Sequence, residues 1–559
     1  MPRGQPIELP PPTAGTNRAV VEPQVSPEYV WKSRNMVSRY GEFRTRPGLL
    51  RSLDTPIGSR IRGGVVFTAQ GGQQHTIAAT NHRIFDIVAG SAIDITGAAL
   101  VGSAEGQARF AVWSVAPFLL APGDPPPPPP HMQGTRVIMV NNVDRPRAWD
   151  GQRPFFIDMA LGPPSGPGSL GIGPRTARDV DIALDRVILF NVVDETNLLR
   201  QSSRIRFSAF NDPTQWNPSQ VIDLTDTGDE GVAVRTLTRS TVIFYKDKSI
   251  WIGTGQAAIL PLAIDILQPD VPGPVNPSAV VGARGAQFYL GRDQRIRRVS
   301  TLGVEEASGP LDRELQTRID LTRQERIWGV YRPLDETVWF FFASDANTPD
   351  QAVSLDAVTG ALHLHTYAVR LSAGWSGPDE FGVTWDDLVG FTWNTVAEVY
   401  PTWDSFGGKR AVEVIGSDTG QIYRTLYGVG DDRRQIDMAW EYPPRLVAGP
   451  KRKAEFDAIE SAFEKVTTTE AVAPEVFAVR GAKVHVDVGV TDTLAEPNGP
   501  RYTEVGVHDT SLTTEQMLSS AGRPAIRGRF MNWRYRCKDV IPVKFKGAAA
   551  YINPEERES

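Results

Sequence analysis

The residues with the most chemical potential lie in two short stretches. IDLTDTGDEG (222–231) gathers Asp223, Asp226, Asp229 and Glu230, four carboxylates within eight residues, a density that can hold calcium. Their spacing is not that of an EF-hand loop, and Asp with Gly is also what tight turns require. HLH (363–365) sets His363 and His365 on one side of a strand, where an i, i+2 pair can ligate a metal. No third His or Cys stands near them and the seven histidines are scattered, so both read as structural. There is no Gly-x-Ser-x-Gly, no His-Glu-x-x-His and no P-loop. A carboxylate pair for glycoside hydrolysis is compatible with 65 acidic residues, but no spacing singles one out. The chain reads as a non-enzyme, without cofactor or metal.

The elements that carry these residues repeat one theme: a short alternating apolar run, a turn of Asn, Asp or Gly, and a second run. The instances are HTIAATNHRIFDI (75–87), TRVIMVNNVDRPRAWDG (135–151), DRVILFNVVDETNLL (185–199), TVIFYKDKSIWIG (241–253), AQFYLGRDQRIRRVS (286–300), ETVWFFFASD with QAVSLDAVTGALHLH (336–345, 351–365) and AVEVIGSDTGQIYRT (411–425). Their starts lie about 45–75 residues apart, near the period of roughly 40–50 residues of propeller blades. The expected fold is all-β: a propeller-like core of six or seven blades over 27–430, with few helices and a further C-terminal β module at 431–559. GSDTGQIYR (416–424) is similar to the Asp-box of sialidase propellers, but Asp418 follows Ser417 directly and no Trp follows. An Asp-box is in any case a hairpin's folding element.

Helical spacing is rare. Leu311, Leu315 and Ile319 stand at i, i+4, i+8 in 309–321, and Phe456, Ile459 and Phe463 fall on one face if 451–466 is a helix; each stretch reads alternatively as a surface turn, and the second as ending in a strand. Val484, Val486, Val488 and Val490 alternate as a strand, and 525–552 supplies two more; these form either the separate module or the closure of the propeller with the N-terminal strands. Residues 1–26, with many prolines, read as an extended arm laid on a neighbour or disordered. Pro/Gly-rich stretches near 121–134, including the six-proline run, and 161–176 read as exposed loops.

Gly (51) and Pro (44) make up about 17% of the 559 residues, above the roughly 12% of average usage, which favours many turns. The net charge of −6 argues against tight nucleic-acid binding. The single cysteine, Cys537, excludes an intramolecular disulfide and reads as a small buried apolar residue. No run of 18 apolar residues exists, so no membrane span is expected. A secretory h-region is absent, which points to synthesis in a cytoplasm.

Several segments, in order, resemble the tail nozzle (tail hub, or tail tubular) proteins of short-tailed bacteriophages. Asn35-Met36 is followed by Phe43-Arg44-Thr45-Arg46-Pro47-Gly48. VIMVNNVDRPRAWDG (137–151) ends in Trp149-Asp150-Gly151. Phe207–Trp216 contains Asp212-Pro213 and closes on Trp216. TVIFYKDKSIWIGTG (241–255) carries Lys248, Trp251 and Gly255, and VVGARGAQFYLGRDQRI (280–296) completes the series. The resemblance spans roughly residues 30–430. Physically these are structural words: Asp212-Pro213 to end a strand, Trp216 to cover a blade edge, Asp150-Gly151 and Arg46-Pro47-Gly48 as turns, and Lys246-Asp247-Lys248 as a soluble hairpin tip.

The resemblance implies a homohexameric ring in the virion tail, made in the host cytoplasm and attached below the head-to-tail adaptor. Tail fibres or spikes would dock outside, a needle or plug would close the tip, and double-stranded DNA would pass without sequence-specific contact. The arm 1–26 would then lie across an adjacent subunit or on the adaptor. A conduit should not grip phosphates, so acidic or neutral loops are expected at the lumen, with Asp226, Asp229 and Glu230 as candidates. Competing readings are another tail part, a fibre or baseplate hub, and a carbohydrate-binding or glycoside-hydrolase propeller. The last would show one deep polar pocket with aromatics and paired carboxylates.

Overall fold

The computed structural model describes residues 5–18, 26, 28–39, 42–69, 73–102, 106–114, 135–159, 173–195, 198–256, 260–343, 348–378, 411–426, 430–432, 434–446, 454–463, 467–473, 476–491, 501–510, 515–519, 527–528, 530–539 and 543–554. The six-proline run and most of the 161–176 loop lie outside the described residues.

Seven four-stranded antiparallel sheets follow one another along the chain. Blades 1 to 6 span 63–94, 109–158, 174–223, 231–268, 280–306 and 328–366, each a meander in sequence order. Blade 7 takes three strands from 371–426 and its outermost, Gly48–Arg51, from the other end of the chain. The first strand of each blade packs beside that of the next, and blade 7 beside blade 1, so the ring closes as a β-propeller. Seven apolar clusters fill the seven spaces between blades. Each expected segment falls in its own blade, and the described residues form seven blades.

Close contact between inner strands depends on pairing large with small. The Trp328 ring of blade 6 lies over the backbone of Gly374 in blade 7, and the Trp375 ring of blade 7 lies over Gly64 in blade 1. Trp328 also stacks on Phe341 at 3.9 Å between ring centres.

The C-terminal module is built from both chain ends. One sheet contains the strands Glu515–Ser519, Ala454–Phe463, Lys544–Pro554, Glu42–Thr45 and Met36–Arg39, joined by Gln5–Leu9 and Arg527–Gly528. The second contains Lys32–Arg34, Ile436–Glu441, Phe530–Asp539, Lys483–Thr491 and Arg501–Asp509, with Arg445–Leu446 beside them. Their inward residues form one core, including Leu9, Phe43, Trp440, Phe456, Trp533 and Cys537. A separate two-stranded ribbon, Thr467–Ala473 with Val476–Gly481, leaves the module between these strands.

Four expectations change. The 451–466 helix is a strand, Ala454–Phe463, with Phe456, Ile459 and Phe463 all buried. A bulge between Phe456 and Ala458 inserts one residue, so an odd spacing that mimics a helical face returns to the same side of a sheet. The arm is laid on its own chain: Gln5–Leu9 pairs with Ala548–Ile552, and Leu9 lies in the module core. The propeller therefore starts at Gly48, and the strands Gln5–Leu9, Lys32–Arg34, Met36–Arg39 and Glu42–Thr45 belong to the module. DRVILFNVVDETNLL is mostly one strand, Arg186–Asp194, because Asn191, at φ 56°, makes a bulge in place of a turn. At 309–321 the spacing holds: Asp312–Arg318 is helical, and Leu311, Leu315 and Ile319 are buried.

A methyl at Gly374 would sit 2.2 Å from a Trp328 ring carbon, whereas one at Gly282 on the inner strand of blade 5 meets nothing within 4 Å. We expect Gly374→Ala to destabilise by about 1–3 kcal/mol and Gly282→Ala to leave the calorimetric midpoint nearly unchanged. Equal effects would refute the indole-on-glycine packing.

Candidate functional site

The acidic loop at 222–231 is organised by a buried lysine. Lys246 ends the second strand of blade 4 with no exposed side-chain surface. Its ammonium donates to the carbonyls of Leu224 (2.9 Å) and Thr227 (2.7 Å), to Thr227 Oγ1 (2.8 Å), and pairs with Asp229 Oδ1 at 3.1 Å. Asp229 also accepts from the Lys248 N–H at 2.8 Å and from Ser249. Burial pushes its carboxyl up, but Thr227, the Lys248 N–H and Lys246 together hold it below the usual range. Lys246 is thus not part of a soluble tip, as expected, but the anchor of the loop. Lys248 is exposed, as are Asp226 and Glu230. Sequence offered one signal for this: a lysine directly after the unbroken apolar run Thr241–Tyr245.

The other motif residues stand at joints of the propeller. Trp149 is buried and donates from Nε1 to the Arg153 carbonyl at 2.7 Å. Asp150 caps the following turn by accepting from the N–H groups of Gln152 and Arg153, and Gly151 takes φ 79°. Asp212-Pro213 does not end a strand; it opens Asp212–Asp223, the outermost strand of blade 3, where a missing N–H costs no ladder bond. Trp216 is buried in the cluster between blades 2 and 3. Trp251 is buried and bonds Ser249 Oγ at 3.0 Å, and the Gly255 N–H bonds the Ser240 carbonyl.

The densest polar arrangement joins the module to blades 6 and 7. Arg46 is fully buried. It donates to Asn35 Oδ1 (3.0 Å), the Pro47 carbonyl (2.8 Å), the Thr366 carbonyl (2.7 Å) and both oxygens of Asp431 (2.8 and 2.5 Å). Its guanidinium lies 3.9 Å from the Tyr367 ring centre. Asn35, at φ 60° between two module strands, also accepts from the Thr366 N–H and donates to the Asp437 carbonyl. The residues expected to form a turn, Arg46-Pro47-Gly48, are the crossing from module to blade. Beside them Arg332 pairs with Asp335 (3.1 Å) and Glu413 (2.8 Å), and Arg39 with Asp335 (2.6 Å). Burial pushes Glu413 up to about 7, against the pull of Arg332.

The two histidines belong to the same junction. Ser38 donates its hydroxyl to the Pro12 carbonyl, so it accepts from His363 Nε2 at 2.9 Å. Thr16 donates to Ser33, which leaves the Ser33 hydroxyl to donate to His363 Nδ1 at 3.1 Å. The imidazole is thereby a neutral Nε2–H tautomer, and burial takes it down to about 3. His365 bonds Ser354 at 2.8 Å and stacks on Trp339. Among the described residues, no three or more His, Cys, Asp or Glu side chains gather as metal ligands.

The propeller axis is stitched by ion pairs. Arg109 of blade 2 reaches Asp179 of blade 3 at 3.2 Å, and Arg235 of blade 4 donates to Asp179 and to the Pro277 carbonyl ahead of blade 5. Asp179 also accepts the Val234 N–H at 2.9 Å. Burial, then the neighbouring Arg235, lowers Arg109 to about 10. What remains open is a cavity of about 260 Å³ lined by Arg62, Gln107, Arg109, Trp328 and Trp375 among others. A larger cleft of about 620 Å³ on blade 1 has one carboxylate, Asp54, and one aromatic, Phe85, in its lining.

The chain matches no model of a known protein family and no curated protein. Among solved structures it is similar to the computationally designed Ika8 protein (11% identity, 68% of this chain and 99% of that one, TM-score 0.34). It is also similar to BBS1N in complex with ARL6DN (9%, 68% and 97%, TM-score 0.36) and to BamB from Moraxella catarrhalis (10%, 69% and 98%, TM-score 0.31).

Removing one member of a buried ion pair costs about 3–5 kcal/mol because the other charge is stranded. We expect Arg46→Met to fall in that range by urea unfolding, and Arg46→Met with Asp431→Leu to recover most of the loss. A strictly additive double variant would refute the pair. His363 also sets a pH dependence. The unfolded chain binds a proton near 6.5 that the folded one refuses until about 3, so stability falls as pH drops through this window. Glu413 works oppositely, favouring the fold more as pH falls from about 7 to 4.5. The acid loss of stability should be shallower in His363→Asn than in wild type; parallel curves would contradict the neutral histidine.

Proposed function

We propose that this chain is the ring-forming subunit of the tail nozzle of a short-tailed bacteriophage. It would attach below the head-to-tail adaptor, surround the channel for genome ejection, and present outer surface to fibres or spikes. One observation carries the reading. The first two motifs of the nozzle-like series, Asn35-Met36 and Arg46-Pro47-Gly48, meet at a single hub on Asp431, where the chain passes from module into propeller. The later motifs fall at successive blade joints in the same order. Such motifs specify a frame and need no reaction, which suits a structural virion component.

Between distant blades, Arg109 reaches Ser278 Oγ ahead of blade 5 and Gln107 reaches the Ser372 carbonyl of blade 7, so side chains occupy the propeller axis and in this reading DNA passes through the space enclosed by several copies. Exposed Asp226 and Glu230 remain candidates for loops facing that space. A mildly acidic chain would let a polyanion slide past without counterion-release affinity.

The test is negative-stain microscopy of tail particles labelled with antibody against this chain, together with the purified chain and its neighbouring tail components. Six-fold density at the distal tail is the expected result. A soluble monomer that labels no particle would overturn the nozzle and direct attention to glycan binding.

A further inference from the structure

The outermost strand of a propeller blade is an open edge, and such edges are normally blunted. Six of the seven are blunted here by identifiable means. Those of blades 1, 2 and 5 are four residues or fewer: Ser91–Asp94, Ile157–Asp158 and Gly303–Glu306. That of blade 3, Asp212–Asp223, carries Pro213 and Pro218. That of blade 6, Leu362–Thr366, is covered by the module, with the Asn35 N–H on the Leu364 carbonyl and Arg46 on the Thr366 carbonyl. That of blade 7, Gly48–Arg51, is bonded through Leu49 to Gly430 and Asp432.

Blade 4 is the exception. Its outer strand, Leu262–Gln268 (LAIDILQ), has seven residues, no proline and no strand on its free side among the described residues, and its irregularity is confined to a bulge at Leu267, near its end. Ile266 is 40% exposed, and Asp265 is its only charged residue. This is a strand pattern left ready for another strand.

A second element is incomplete in the complementary sense. Among the described residues, the ribbon Thr467–Ala473/Val476–Gly481 is a sheet of two strands, an arrangement that is marginal in water without a further partner. Its strands, seven and six residues, match the blade 4 edge in length, roughly 20 Å at about 3.3 Å per residue. The two edges of the ribbon differ in charge. Thr467–Ala473 contains Glu470, which would oppose Asp265 with a like charge, whereas Val476–Gly481 (VFAVRG) contains only Arg480.

We propose that Val476–Gly481 of a second copy of this chain adds to Leu262–Gln268 as the fifth strand of blade 4, antiparallel, with Arg480 opposite Asp265. Two different surfaces are used, so the contact is head-to-tail and propagates around a closed ring. In this register, positions 479 and 481 stand opposite 266 and 264. The inference rests on the ring reading and names the joint between its subunits.

The test uses the full-length chain. Ile266→Cys and Val479→Cys chains are mixed under mild oxidation; the native Cys537 is buried and does not compete. A disulfide between the two different chains, with little between like chains, is the expected result, because only residues directly opposite lie within bridging distance. A charge reversal gives an independent readout that misfolding would not imitate. Arg480→Asp should weaken self-association roughly tenfold by sedimentation, and Asp265→Arg in the same chain should restore it. Six-fold rings without the mixed disulfide and without rescue would overturn this joint and leave the nozzle reading standing. A chain that stays monomeric with its tail components would remove both. Head-to-tail chains with the disulfide but no six-fold density would support the joint and count against the nozzle.

Discussion

The buried pair of Arg46 with Asp431 is the constraint on which the two halves depend. The chain begins in the module, crosses to the propeller at Arg46-Pro47-Gly48, and returns to the module near Asp431. Both crossings therefore meet at one point, and the outer strand of blade 7 lies immediately after it. A guanidinium placed there satisfies two carboxylate oxygens, three other acceptors and the face of Tyr367. A neutral residue of similar size would leave Asp431 charged and unpaired in a dry junction, which is the costly case. The same reasoning explains Asn35, whose amide serves three partners in a backbone conformation that few residues other than Asn and Gly tolerate.

Around that hub, further polar contacts hold the module, beside the packing of Val37 into the apolar cluster of blades 6 and 7. Arg39, Arg44 and Arg332 share Asp335, and His363 links the 12–38 segment to the last strand of blade 6 through a directed chain of hydroxyls. Polar contacts of this kind specify one docking pose, because a shifted pose strands several charges at once. The seven interblade spaces follow the opposite logic. They are apolar, with indoles lying over glycines, and they determine how closely neighbouring blades approach.

The functional reading follows from this division. The chain's distinctive residues are committed to joints: Lys246 holds a loop, Trp149 and Trp216 fill spaces between blades, and Asp150-Gly151 turns a hairpin. A protein whose distinctive residues are mechanical in this way suits a role defined by shape and assembly, and its open edge on blade 4 and unfinished ribbon are where assembly has something left to satisfy.

The sequence by itself determined the repeat. Alternating apolar runs with Asn, Asp or Gly at their tips mark the middle hairpin of six blades and the second strand of blade 3, since strand period and turn chemistry are local properties. Local information also sufficed for the short helix at 312–318 and for the burial of Cys537. It failed where phase or partner is set by distant chain. The bulge after Phe456 gave a strand the spacing of a helix, and Gln5–Leu9 of the arm found its place on strand Lys544–Pro554, more than five hundred residues away. Lys246 looked like a solvated tip until the acidic loop wrapped it. Whether a charged side chain is solvated or buried depends on which backbone carbonyls and carboxylates the folded chain brings within hydrogen-bond reach. Only the tertiary structure decided that, and with it the meeting of Asn35, Arg46 and Asp431.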